Sequence, residues 1–256
     1  MKRNKLIGLL SLCLLAATFA SCEDWNETEA VKQKVERPED QNPELWAEYT
    51  AALRDYKQSE HFIVYARLFN SPQPGTSEKD FMRCLPDSLD IVSLTNADNF
   101  SKYDAEDMPA MREKGTKVLY QVDYAGRSGE LADETKLGAY LDKVIAAVKK
   151  NGLDGYSFTG IPNAGDAATA TLIVERLSAA KTEGQLLVFE GNPLFLTEDA
   201  LSKVDYVVLD TEATENVTDL KMQVLNATGY AGVPATKLLL AAAAGAPLYD
   251  ENVEEH

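Results

Sequence analysis

The stretch "NGLDGYSFTGIP", Asn151 to Pro162, has the form of a strand that carries chemistry. Gly152 can stop a helix, an Asp-Gly turn follows, and alternating residues lead to Gly160 and Pro162. Alternation puts Ser157, Thr159 and Ile161 on one face. Carboxylates on such a face would do general acid–base work. These three positions hold two hydroxyls and an aliphatic chain instead. The face can form hydrogen bonds, but it has no strong acid.

Other reactive side chains are sparse. The two histidines, His61 and His256, lie far apart in sequence, so no metal-ligand spacing exists and neither a metal nor a cofactor is expected. A Ser-His-Asp or Cys-His site would have to use His61, which opens an expected strand. Of the three cysteines, Cys13 and Cys22 fall near the N-terminus. Cys84 alone remains, so no intrachain disulfide is available. In "DFMRCLPDSLD" it is expected as a buried apolar residue on a helix.

The elements that position these residues repeat. Strands are expected at 61–69, 89–95, 116–123, 153–160, 185–191, 204–211 and 236–244, most of them continuous apolar runs suited to burial on both faces. Helical stretches fall between them: "SEKDFMRCL", "DAEDMPAMREKG", "ETKLGAYLDKVIAAVKKNG", "DAATATLIVERLSAAKTEG", "TEDALSK" and "VTDLKMQVLNATGYAG". Strands alternating with helices imply parallel pairing through right-handed crossovers. The absence of a GxGxxG or Walker loop favours a (β/α)8 TIM-type barrel over a doubly wound sheet. Seven strands are visible where a barrel needs eight, so the expectation is an α/β barrel, residues 61–256, lacking its eighth strand through C-terminal truncation. "AAAAGA" (241–246) is expected to pack closely at the seventh strand and its exit. A helix is expected over 42–60, with Asn42 as cap, Pro43 in the first turn and Leu45, Tyr49, Leu53 and Tyr56 at helical spacing.

Residues 1–21 read as a signal peptide, with "MKRNK" followed by the apolar run "LIGLLSLCLLAATFA". "FASC" resembles a bacterial lipobox, with Phe19 where Leu is usual, and makes Cys22 the expected lipid-attachment site. The alternative is a plain secretory signal with an incidental cysteine. Glu23 and Asp24 resemble the export cue that sends lipoproteins of Bacteroidetes to the outer face of the outer membrane. Residues 22–41 are polar and read as a flexible tether. The net charge of -16 argues against a nucleic-acid partner, which needs a basic face. Loss of Lys2, Arg3 and Lys5 with the signal would make the mature chain more acidic still.

The central strand resembles that of family 18 glycoside hydrolases, the chitinases and endo-β-N-acetylglucosaminidases, whose fourth strand carries "DGxDxDxE". Asp154-Gly155 matches its start; Ser157, Thr159 and Ile161 stand where the acids would be. "PDSLDIVSLTN", "KGTKVLYQVD" and "VDYVVLDTE" are similar to other strands of that family. In the family the substrate acetamide acts as nucleophile, the glutamate protonates the leaving oxygen and the preceding aspartate orients the acetamide. Ile161 has no proton to give, and the hydroxyls of Ser157 and Thr159 ionise too weakly to replace a carboxylate. The resemblance therefore implies a catalytically inactive, surface lipoprotein branch that binds N-acetylglucosamine-containing glycans.

Binding sites in such barrels lie at the C-terminal ends of the strands. The candidates there are Asn70, Asn96, Asp123, Tyr124, Thr159, Glu190, Asn192, Asp210 and Glu212. The alternative for each is a loop residue that caps a helix or faces water. Asn192-Pro193 in particular makes turns. Two other functions stay open. One is an active hydrolase using displaced acids such as Asp123, Glu190 or Asp210. The other is a structural subunit docked on a neighbour. The implied partners are a glycan, the outer membrane through the lipid, a catalytic hydrolase and an outer-membrane importer.

Overall fold

The computed structural model describes residues 37–250 apart from 74, 76, 163–165, 244 and 246. The expected signal peptide and Cys22 lie outside the described residues. The chain divides into two compact units, Met1–Trp46 and Ala47–His256. In the first, Pro38–Gln41 forms a helical turn, α1, inside the stretch read as a tether. The longer helix α2, Pro43–Gln58, begins there and continues into the second unit; the Asn42 side chain accepts from Leu45 N at its start. Its one buried residue is Thr50. Tyr49 and Tyr56 are about half exposed; Tyr49 donates to Asp87 and the Tyr56 ring lies against His61.

The second unit is a parallel sheet wrapped by helices. Its strands are β1 (Tyr65–Leu68), β2 (Ile91–Leu94), β3 (Lys117–Val122), β4 (Gly155–Gly160), β5 (Leu186–Gly191), β6 (Tyr206–Leu209) and β7 (Leu238–Leu240). They pair in chain order, every neighbour parallel. A doubly wound sheet would reverse its order part-way; this one does not. The result is a TIM-barrel-like half-barrel with seven strands among the described residues, and β1 and β7 are its edges.

Helices α3 (Lys102–Glu113), α4 (Tyr124–Arg127), α5 (Glu134–Asn151), α6 (Asp166–Ala180), α7 (Glu198–Lys203) and α8 (Val217–Leu225) fill the crossovers. The long α5 shows why: Asp133 caps its start and left-handed Gly152 ends it. Leu137, Tyr140, Leu141, Val144 and Val148 form its buried stripe. The main core lies between the sheet and these helices. A smaller one, around Ile91, Leu119, Val188 and Val208, fills the interior of the half-barrel.

The first crossover departs from expectation. "SEKDFMRCL" forms two 3-10 turns, Glu78–Asp80 and Met82–Cys84, rather than an α-helix. The Ser77–Asp80 capping box closes the first turn, and Phe81 is extended between the two. Met82 takes the buried place and Cys84 is exposed, not buried.

One device recurs at the bottom of the sheet. Asp90, Asp154 and Asp205 each precede a strand. Their backbone N–H groups donate to the carbonyls of Val64 (3.0 Å), Val118 (2.7 Å) and Leu187 (2.8 Å). Their carboxylates accept from the N–H of those same residues at 2.7, 2.9 and 2.7 Å. Each aspartate thus fastens a strand to the one before it at two points. Beside Asp154, Gly155 has φ +133° and a Cβ there would lie 2.1 Å from Leu186 O, so β4 and β5 can approach only at glycine.

Candidate functional site

Strand register decides which side chains meet inside the half-barrel. Arg67 pairs with Ser93, Gln121 with Ser157, and Thr159 with Glu190, so these residues share the inner face. Glu190 is at the centre and is 5% exposed. Its Oε1 accepts from Tyr65 OH (2.7 Å), Ser93 Oγ (3.0 Å) and Gln121 Nε2 (3.0 Å). Its Oε2 accepts from Gln121 Nε2 (2.9 Å) and lies 3.8 Å from Arg67 Nε. Ser157 Oγ is 2.6 Å from Ser93 Oγ. Since Ser93 gives its one proton to Glu190, Ser157 donates to Ser93. Burial, then the neighbouring Glu190 charge, push the Tyr65 hydroxyl well above its ordinary value, which keeps it a donor.

The face of the central strand is divided between tasks. Ser157 is fully buried in this network. Thr159 Oγ1 donates to Asp123 Oδ1 and accepts from Ala125 N, both at 2.9 Å. Asp123 also accepts from Gly126 N, so the pair fixes the start of α4. Ile161 is 54% exposed and lines an open cleft at the C-terminal ends of the strands. Asp154 lies at the other end of β4, in the strand fastening described above.

That cleft has a volume of about 480 Å³ and is lined by Arg67, Thr159, Ile161, Glu190, Asn192 and Asp210 among others. Four residues expected from sequence therefore come together: Thr159, Glu190, Asn192 and Asp210. Asn192 also accepts from Leu194 N, and so combines a turn with a place in the wall. Glu212 forms an ion pair with Arg67, which bridges it toward Glu190.

The remaining candidates hold the scaffold. Asn70 is fully buried; it donates to Asp104 (3.0 Å) and accepts from Asn96 N (3.1 Å). Asn96 returns a bond to Asn70 O (2.9 Å). Tyr124 packs on Phe195 with ring centroids 5.9 Å apart. Sequence reading missed Tyr65, Arg67, Ser93 and Gln121. The visible signal was polar residues at alternate positions inside apolar strands, as in "YARL" and "LYQV". Among the described residues no cluster of His, Cys, Asp and Glu could hold a metal.

The family model for glycoside hydrolase family 18, BT1044-like, matches residues 26–156, just over half of the chain. The chain belongs to this family. The family 18 match ends at Tyr156, one residue before Ser157. Solved structures share the family 18 fold. A selenomethionine variant of BT1044 aligns at TM-score 0.63 and 19% identity, covering 81% of this chain and 74% of that one. An endo-beta-N-acetylglucosaminidase from Cordyceps militaris in apo form aligns at 0.60 and 21%, covering 75% and 71%. YKL-39, solved with chitooligosaccharides, aligns at 0.52 and 13%, covering 70% and 65%. No curated protein matches in sequence.

Proposed function

We propose that this family 18 chain is a surface lipoprotein that binds N-acetylglucosamine-containing glycans in the central cleft without hydrolysing them. One observation carries the reading. The inner face of β4 offers Ser157, Thr159 and Ile161 where a family 18 enzyme needs acids, while the buried Glu190 is surrounded by donors from the walls. A general acid must turn its proton to the leaving oxygen, and a base needs a free lone pair toward its target. Glu190 Oε1 takes three donors and Oε2 takes Gln121, which ties the carboxylate to the wall. Arg67, Asn192 and Asp210 still present donors and acceptors suited to sugar hydroxyls. The endo-β-N-acetylglucosaminidase and the chitooligosaccharide-bound relative support this ligand class, and the lipobox-like "FASC" supports the anchor.

Calorimetric titration of the protein with chitooligosaccharides and N-glycans tests the reading. Saturable binding is expected, with intact sugar recovered, and Asp210→Ala should weaken it about tenfold or more. New reducing ends would establish a hydrolase. Absence of binding in the folded protein would point to a structural subunit. Membrane fractionation of Cys22→Ser tests the anchor: the protein should leave the membrane fraction.

A further inference from the structure

A second hollow shares a wall with the cleft. Asn192 and Asp210 line the central cleft and also this neighbour of about 580 Å³, which lies between the end of β5, the end of β6 and the turn after α8. That turn, Asn226–Tyr230, is a π-helix closed by Ala231 N donating to Asn226 O at 2.9 Å. It runs directly on from α8, as π turns at helix ends do. Here the turn puts both of its ends on the hollow.

Tyr230 is 80% exposed. Leu194 faces the same hollow from the β5 side and is 51% exposed. Asn226 adds an exposed side-chain amide to the lining. An apolar ring face beside the Asn226 amide and the Asp210 carboxylate is the chemistry that suits a pyranose. Its C–H face stacks on an aromatic ring, and its hydroxyls and acetamido group take the amides.

Resting on the glycan-binding reading above, we infer that the second hollow is a further sugar subsite built on Tyr230 and Asn226. The ligand is therefore an oligosaccharide that runs from the central cleft past Asn192 and Asp210, not a single sugar. A protein docked on the exposed Tyr230 and Leu194 is the competing occupant. It does not account for the shared wall with the cleft.

The test compares N-acetylglucosamine disaccharide and tetrasaccharide binding to the full chain by calorimetry. The tetrasaccharide should bind about tenfold tighter, and Tyr230→Ala should erase that gain while leaving disaccharide affinity unchanged. Asn226→Ala should reduce the gain, and Tyr230→Phe should retain it, since the stacking face remains. Both positions are exposed, so folding is not at stake. Equal affinity for both sugars, or wild-type tetrasaccharide affinity in Tyr230→Ala, overturns the subsite but leaves the central cleft standing. Loss of disaccharide binding in Tyr230→Ala also overturns it, because Tyr230 would then belong to the sole site. No binding of either sugar to the wild type removes the underlying reading, and the subsite with it.

Discussion

Glu190 shows how a carboxylate can sit at the centre of a glycoside hydrolase fold and serve the walls. Tyr65, Ser93 and Gln121 all donate to it. Glu190→Ala would leave those buried donors without an acceptor, so it should lower stability by about 3 kcal/mol in urea denaturation. A loss under about 1 kcal/mol would show that water satisfies them. His61 gives a pH signature. Its Nδ1 faces Ser59 O at 2.8 Å and its Nε2 faces Asp90 at 3.0 Å, acceptors on both sides that favour the imidazolium. The Ser59 bond, then the Asp90 bond, raise its pKa above 6.5. The stabilisation is therefore full below about pH 6.5 and is lost as pH rises through the raised value. The stability gap between wild type and His61→Gln should be larger at about pH 5.5 than at about pH 8.5; a constant gap would exclude a titrating His61. Period-two alternation made the shared face of Ser157 and Thr159 legible from one strand. The Glu190 network was not legible, because Tyr65 and Glu190 lie 125 positions apart and only register joins them.

At the scale of elements, the order of strands and helices could be read because the strands are buried on both faces and appear as unbroken apolar runs. The short crossover at Met82–Cys84 could not. Nine residues of helical pattern do not outweigh nucleation cost, and the extended Phe81 ends the first turn. The paired aspartates were visible in "LDIVSL", "LDGYSF" and "VDYVVL" yet not recognisable as a set until each was seen to bind the strand before it. Asp154 is the telling case: the residue that matches the family motif acts here as a fastener of β3 to β4. Asp90→Ala, Asp154→Ala and Asp205→Ala should each cost about 1–2 kcal/mol. Asp154→Ala should leave sugar affinity unchanged, since its carboxylate lies at the end of the sheet opposite the cleft. Weaker sugar binding in that variant would return Asp154 to the site.

At the scale of the molecule, β1 and β7 are the sheet edges among the described residues, and such edges invite pairing with another chain. A charge of -16 opposes that encounter. Added salt shortens the screening length from roughly 10 Å at 0.1 M to 3 Å at 1 M. Light scattering should find a monomer at low salt and association as salt rises; a mass independent of salt would show that the edges are already protected.

The aspartate fasteners also set where the sheet can come apart. They join β1 to β2, β3 to β4 and β5 to β6, at two points each, through Asp90, Asp154 and Asp205. The joints between these pairs are held at the same level by one side-chain bond each among the described residues: Thr116 Oγ1 donates to Leu89 O, Gln185 Nε2 to Leu153 O and Lys237 Nζ to Val204 O. Partial opening should then run along the β2–β3 and β6–β7 boundaries, while the six-residue β4–β5 ladder holds β3 to β6 as one cooperative unit. Native-state amide exchange would register this as one common opening energy for strands one and two and another for strands three to six, with strand seven opening alone and first.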